Sequence, residues 1–328
     1  MAFNKERRTM GFKLETVPYT KESLTSSDFD MRVMNIEYDP NIQITARKLA
    51  RGDLSLDQAV IGKKDVKIKF RAEVYPSPDS FSSAPAWGKA LKACGFQETI
   101  SAGNGVKYTP SSLRTNIPAT IEIPELYEGT SPSQIVMQAH GWMGNVTFAI
   151  EKVGMPMHLD FDGSAVLDGF VDRSYANRIA PLITDTEPTP PALSATITHN
   201  GKEQVLDTMK INIGNKVELF TSPSPASGFL GAHVVARDPS IDIDPDLQPI
   251  STEDLWTELI TPENAAAFSA TIGTKIKIKA PKAQLVDAVK PGEREGHITR
   301  TVKLRLNRNL GDDELEIHTG TVAYIAGV

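Results

Sequence analysis

Asp242, Asp244 and Asp246, in the run DIDPD, have the i, i+2, i+4 spacing that lets carboxylates converge on one cation. The glycine and distal glutamate of a calcium loop are missing and Pro245 interrupts the run, so it reads as a solvated acidic loop rather than a metal site. The six histidines, His140, His158, His199, His233, His297 and His318, are singly scattered, and no two have the spacing of a zinc-binding helix. Each reads as a surface or strand residue. Cys94 is the single cysteine; it could act as a nucleophile only beside a histidine, and its place on an apolar stripe reads as a buried core thiol. Asp312, Asp313 and Glu314 could do acid/base work, but they follow Gly311 in what reads as a hairpin turn, where acidic residues are ordinary. The glycine-rich pieces AGNG (Ala102 to Gly105) and GWMGN (Gly141 to Asn145) lack the patterns that cradle a phosphate, and no G-x-S-x-G elbow is present. No catalytic, metal or cofactor residue is assigned, and nothing here demands an enzyme.

The elements that carry these residues are mostly alternating strands, in which every second side chain turns to the same face of a sheet. Val66, Ile68, Phe70, Ala72 and Val74 alternate with Lys67, Lys69, Arg71 and Glu73, and Met157, Leu159 and Phe161 with His158, Asp160 and Asp162. Ile276 and Ile278, then Val302, Leu304 and Leu306, then Leu315 and Ile317 repeat the pattern. One buried and one wet face is the signature of antiparallel sheet. Weaker strand signals lie at 120–123, 145–150, 193–198 and 209–220. Two segments have helical spacing. In PAWGKALKACGF, Trp87, Leu91 and Cys94 share an apolar stripe with Ala90, with Pro85 and Gly95 at the ends where each belongs. In STEDLWTELI, Ser251 and Asp254 resemble a capping box, and Leu255 and Trp256, with Leu259 and Ile260, form the expected core stripe.

The chain has 328 residues, 40% of them apolar, which is length for roughly two domains. No apolar run approaches the ~18 residues of a spanning helix, and no membrane or secretory segment is read. The lone cysteine excludes an intrachain disulfide and a multi-thiolate zinc site. A net charge of −6 disfavours gripping nucleic acid through a basic surface. The charge is blocked: Asp238 to Glu263 holds eight acidic residues and no basic one, whereas Asn264 to Leu310 holds ten basic and three acidic. Such alternation suits a surface that meets a copy of itself.

Thr184 to Ala192, with three prolines in nine residues, reads as a linker. The order of elements is similar on either side of it, so the expected fold is mainly β: two tandem antiparallel β-sandwich or barrel domains, residues 36–183 and 193–328, each with one short packed helix. Residues 1–35, with Phe12, Leu14, Val17 and Tyr19 scattered among charges, read either as an arm that orders against a neighbouring subunit or as a frayed terminus.

The run AWGKALKACGF followed by VKYTPSS (Val106 to Ser112) is similar to the major tail tube proteins of long, non-contractile-tailed phages. The resemblance continues through GWMGNVTFAIEKVGMPMHLDFDG (Gly141 to Gly163) and the closing stretch Lys277 to Ile317, and it reaches upstream to the strand after GKKDVKIKF. It implies a structural virion protein with a tail-tube-like fold, assembled in the host cytoplasm, whose rings stack around a tape-measure protein into a conduit for DNA ejection. Tail terminator and baseplate or tip proteins are then further partners, and DNA passes through without specific binding. The family is usually hexameric with one domain per subunit; two domains here would make three chains per pseudo-sixfold ring, with six the other possibility. Residues Phe12, Leu14, Val17 and Tyr19 would contact the next ring. The rival readings are the puncturing tube of a secretion system, a contractile-tail tube, and a carbohydrate-binding or hydrolytic β-sandwich, for which clustered acids or an exposed aromatic platform would be expected.

Overall fold

The computed structural model describes residues 8–47, 57–76, 83–113, 117–126, 133–174, 179, 181–183, 188–261, 265–287 and 289–328. Residues 1–7 of the expected arm and 184–187 of the expected linker lie outside them. In chain order, β1 (Gly11–Leu14), β2 (Val33–Thr45) and β3 (Val60–Glu73) precede α1 (Gly88–Ala93). Then come β4 (Phe96–Ser101), β5 (Gly105–Pro110), β6 (Ala119–Leu126), β7 (Ser133–Ile150) and β8 (His158–Ser174). The second half holds β9 (Thr196–His199), β10 (Lys202–Glu203), β11 (Met209–Asn212), β12 (Asn215–Thr221), β13 (Phe229–Arg237) and β14 (Ser240–Ile243), followed by α2 (Leu255–Ile260). It closes with β15 (Ala265–Ile272), β16 (Ile276–Leu285), β17 (Lys290–Arg294), β18 (His297–Leu306), β19 (Glu316–Gly320) and α3 (Val322–Gly327).

The protein is mainly β and antiparallel, consistent with a β-sandwich and not closed into a barrel. The first-half sheet runs β1, β6, β7, β8, β3, β2. Strand β7 is long enough to serve two neighbours along one edge: residues 134–142 pair with β6 and residues 147–150 with β11. From β11 the ladder continues through β14, β18, β16, β15 and β9. Strand β19 ties β16 back to β5, so among the described residues strand ladders join the halves at β7–β11 and β5–β19. Strands β12 and β13 form a separate hairpin. The described end of the proline-rich segment is pinned: Pro191 bridges Pro156, and the Ala192 N–H donates to Met155 O at 2.8 Å.

Alternation explains the core. Val66, Ile68, Phe70 and Ala72 are buried while Lys67 and Lys69 between them are exposed. Phe70 stacks on Phe161 at 4.8 Å between ring centroids, and Trp142 fits against Phe12 at 5.5 Å and Phe70 at 5.7 Å. Burying such rings is worth ~2–3 kcal/mol each. The indole of Trp142 fits because residue 163 is glycine: a Cβ there would stand 2.6 Å from it and 2.5 Å from the Met143 carbonyl.

Helix α1 lies where expected but is only six residues long, with Trp87 and Cys94 at its caps: Trp87, Leu91 and Cys94 are buried, and the Trp87 indole donates to Tyr75 O at 2.9 Å. Helix α2 needs a correction. Asp254, not Ser251, is its N-cap, accepting from the Thr257 amide, and only Leu255 and Leu259 turn to the core. Trp256 is 54% exposed and Ile260 74%. Six residues make fewer than two turns, so a single i, i+4 pair reaches the sheet and the next residue, about 100° round, points away. Helix α3 was not expected from the sequence.

The expected arm also needs correction at Phe12. Strand β1 pairs with β6, Phe12 opposite Ile121, and Phe12 has no exposure at all. Leu14 packs half-buried on the same core. Tyr19 folds back at φ 65°, its amide donating to Glu15 and its ring lying against Gly231. Of the four residues expected to reach a neighbouring ring, Val17, 60% exposed, is the one left open.

Candidate functional site

The residues whose types suggested chemistry serve the fold. Cys94 is buried, and desolvation pushes its thiol well above the ordinary range, so it is no thiolate nucleophile. Asp242 lies in β14, while Asp244 and Asp246 are bridged by Arg294. Asp244 also accepts the Asp207 and Thr208 amides. Among the described residues no group of three His, Cys, Asp or Glu is placed to hold a metal ion. Asp313 accepts the amides of residues 309–311, which hold it below the usual carboxylate range. Asp312 binds Ser112 and Arg237, and Glu314 meets Arg237 at 2.5 Å. These two carboxylates border an open cleft of about 1030 Å³, also lined by Phe220, His233, Arg305 and Arg308. Its charges largely pair with one another, Arg237 as above and Arg305 with Asp238 at 3.0 Å.

The histidines are spread through the fold. His140 meets Asp168 at 2.7 Å, His158 meets Glu151 at 3.4 Å, and His318 sits between Glu316 and Tyr324. His199 faces Glu258.

What the structure does present is unpartnered surface. Strand β2 is hydrogen-bonded in register only to β3 among the described residues, so its other side is a sheet edge. Asp39 through Thr45 are all exposed, which means that neither face of this part of the strand is covered. An isolated two-stranded ribbon is marginal in water, and a ribbon this bare gains most from a partner. Ile44 stands opposite Ile61 in register and both are about two-thirds exposed, at 67% and 65%. Ile42 extends the apolar strip on that face, while Val60, paired with Thr45, is exposed on the other face. The ribbon is braced at its base, where the Lys64 amide donates to Ser227 O at 2.9 Å and Lys63 lies over the Phe229 ring.

A second bare patch lies on α2. Trp256 and Ile260 face solvent, and Ile250 is also exposed in the segment leading to the helix. Below them Glu258 is buried against His199 of β9, with the imidazole Nε2 3.2 Å from the carboxyl. Neither patch was singled out from sequence. Ile42 and Ile44 alternate as a half-buried strand would, and alternation does not say whether the apolar face meets the same chain or another.

On its wet face the first sheet carries a ladder of opposite charges. Lys69 stands between Glu37 and Asp162 in register, Asp162 at 3.2 Å from it, and Arg71 holds Asp160 at 2.7 Å. No protein-family model matches the chain, and no curated protein matches it in sequence.

Proposed function

We propose that this chain is a structural subunit that joins copies of itself into stacked rings, and that the stack is the tail tube of a long-tailed, non-contractile phage. The observation that carries the self-assembly is the bare β2–β3 ribbon: a strand edge with exposed apolar residues beside it is the surface that soluble proteins blunt unless another chain covers it. The mainly antiparallel sandwich agrees with the architecture that the resemblance of the helix and Tyr-x-Pro-Ser run implies. Asp238, Asp312 and Glu314 in the cleft are each paired with Arg305 or Arg237, which supports a structural rather than a catalytic role.

In this reading three chains make a pseudo-sixfold ring, and DNA slides through the lumen without being held. A net charge of −6 serves that passage, because a wall without excess cations does not release counterions from phosphate. The tape-measure, terminator and tip proteins are its partners in the virion. Negative-stain microscopy of the concentrated protein tests the reading: rings or tubes are expected, and single particles at every concentration overturn it. Ring mass then separates three chains from six, and a basic lumen in a reconstruction would remove the account of DNA passage. Raised salt should shorten the tubes, since the acidic and basic blocks attract across copies.

A further inference from the structure

We infer that the two bare patches belong to one contact: the β2–β3 ribbon of one copy seats on the α2 face of a second copy. This rests on the self-assembly reading above and assigns it a surface.

Chemistry matches the two faces. The ribbon offers Ile44 and Ile61 with Ile42 on the same face, and its described residues 41–47 and 57–64 carry Arg47, Lys63 and Lys64 against one acid, Asp57. The α2 face offers Trp256 and Ile260, and the stretch from Asp238 to Thr261 has no basic residue. Beside the helix, a polar hollow of about 270 Å³ is lined by Glu253, Asp254 and Glu258 against one cation, Lys202. Arg294 neutralises Asp244 and Asp246, so the acidic end of the patch is the one at Glu253 and Asp254. Apolar centres of this size with opposite charge at the margin supply both the burial and the orientation of a specific contact.

Topology sets the two faces apart. In register, Glu73 at the end of β3 stands level with His158, then Ala149, then Lys210, so the second half joins the sheet at that end. Pro191 bridges Pro156 near that end, and β9, whose His199 meets Glu258 of α2, begins five residues later. The ribbon leaves from the opposite end of β3, roughly 40 Å away at the rise of an extended strand. Two different faces, each unlike itself and complementary to the other, make a head-to-tail contact that repeats from copy to copy.

Complementation tests the seat. One variant carries Ile44→Asp with Ile61→Asp, the other Trp256→Asp with Ile260→Asp; all four side chains are exposed, so an unchanged thermal midpoint is the check that each variant folds. Each variant alone should fail to extend into tubes. Mixed one to one, the intact α2 face of the first takes the intact ribbon of the second, and the product should sediment at about twice the mass of either variant alone. As a second measurement, the double variant Ile44→Cys with Ile260→Cys should give a ladder of covalent multimers on oxidation, since the native Cys94 is buried. If wild-type tubes form and the variants also form tubes, or the mixture does not pair, or the ladder is missing from assembled tubes, the seat is wrong while the self-assembly reading stands. If the wild-type chain does not assemble at all, both fall.

Discussion

His199 Nε2 lies 3.2 Å from Glu258 Oε1, and the two side chains are only 1% and 5% exposed. They meet between α2 and β9 without a hydrogen bond at either atom among the described residues. Burial opposes charge on both partners: it pushes the imidazole down to about 4 and the Glu258 carboxyl up, the latter helped by the charge of Glu253. The pair is therefore a polar contact that favours neutral groups, not an ion pair that gains from charge.

A pH dependence follows from His199. In the unfolded chain its imidazole titrates near 6.5, so between that pH and about 4 the unfolded state takes up a proton that the folded state refuses. Stability should fall as the pH drops through this window, by up to about 3 kcal/mol from this group. Glu258 works in the other direction, favouring the fold while it is protonated and losing that contribution as the pH rises through its raised value. Urea midpoints at pH 7, 5.5 and 4.5 should show the loss on acidification, and His199→Gln should flatten it. An equal slope in the variant would rule the assignment out.

The two helix tryptophans should differ sharply. Trp87 has no exposure and donates to Tyr75 O, so Trp87→Ala should cost ~3–5 kcal/mol. Trp256→Ala should change stability by less than about 1 kcal/mol, because more than half of the side chain is already in water. Thermal midpoints of the two variants decide it; equal losses would return Trp256 to the core.

That contrast marks what a sequence makes legible. Alternation placed β3, β8, β16 and β18 because each buries one face against the same sheet core, and the burial alternates in β3 as Val66 to Val74 does in the sequence. Helix α1 was legible because its stripe and its end signals agree. In α2 the residues Leu255, Trp256, Leu259 and Ile260 give two adjacent i, i+4 rows, and only the position of the sheet decides which row is inside. The pairings β7–β11 and β5–β19 join residues far apart in sequence, and no local pattern encodes them. Phe12 was misread for the same reason: a short apolar stretch among charges looks like an arm until β6 is seen beside it. Among the described residues no metal-binding cluster forms: Asp244 and Asp246 are both tied to Arg294, and the six histidines sit on six different strands.

Removal of the N-terminal stretch should unfold the protein rather than merely block assembly. Glu15, 1% exposed, accepts the Tyr19 and Gly141 amides at 2.6 Å and the Thr120 hydroxyl at 3.2 Å, and so fastens the segment after β1 to β7 and β6. Deleting residues 1–30 also takes Phe12 from between Phe70 and Trp142. The truncated chain should aggregate or show no cooperative transition. Within the full chain, Glu15→Ala should cost about 3 kcal/mol and Glu15→Gln less, since one acceptor oxygen remains. A truncated chain with the wild-type thermal midpoint would contradict this.

Gly163→Ala should destabilise the sheet although it adds a single methyl group. The new Cβ would meet the Met143 carbonyl at 2.5 Å and the Trp142 indole at 2.6 Å, and neither can give way. The carbonyl belongs to the β7 strand opposite, and the indole is wedged by Phe12, Phe70 and Phe161. Relief requires the β7–β8 ladder to part or the aromatic cluster to shift, at a cost of ~1–3 kcal/mol or more. Asp162→Ala next to it removes an exposed side chain whose ion pair with Lys69 is open to water, and should cost under about 1 kcal/mol. Guanidinium denaturation of the pair of variants compares backbone approach with surface charge at neighbouring positions of one strand; a Gly163→Ala midpoint no lower than that of Asp162→Ala would mean that the indole can move.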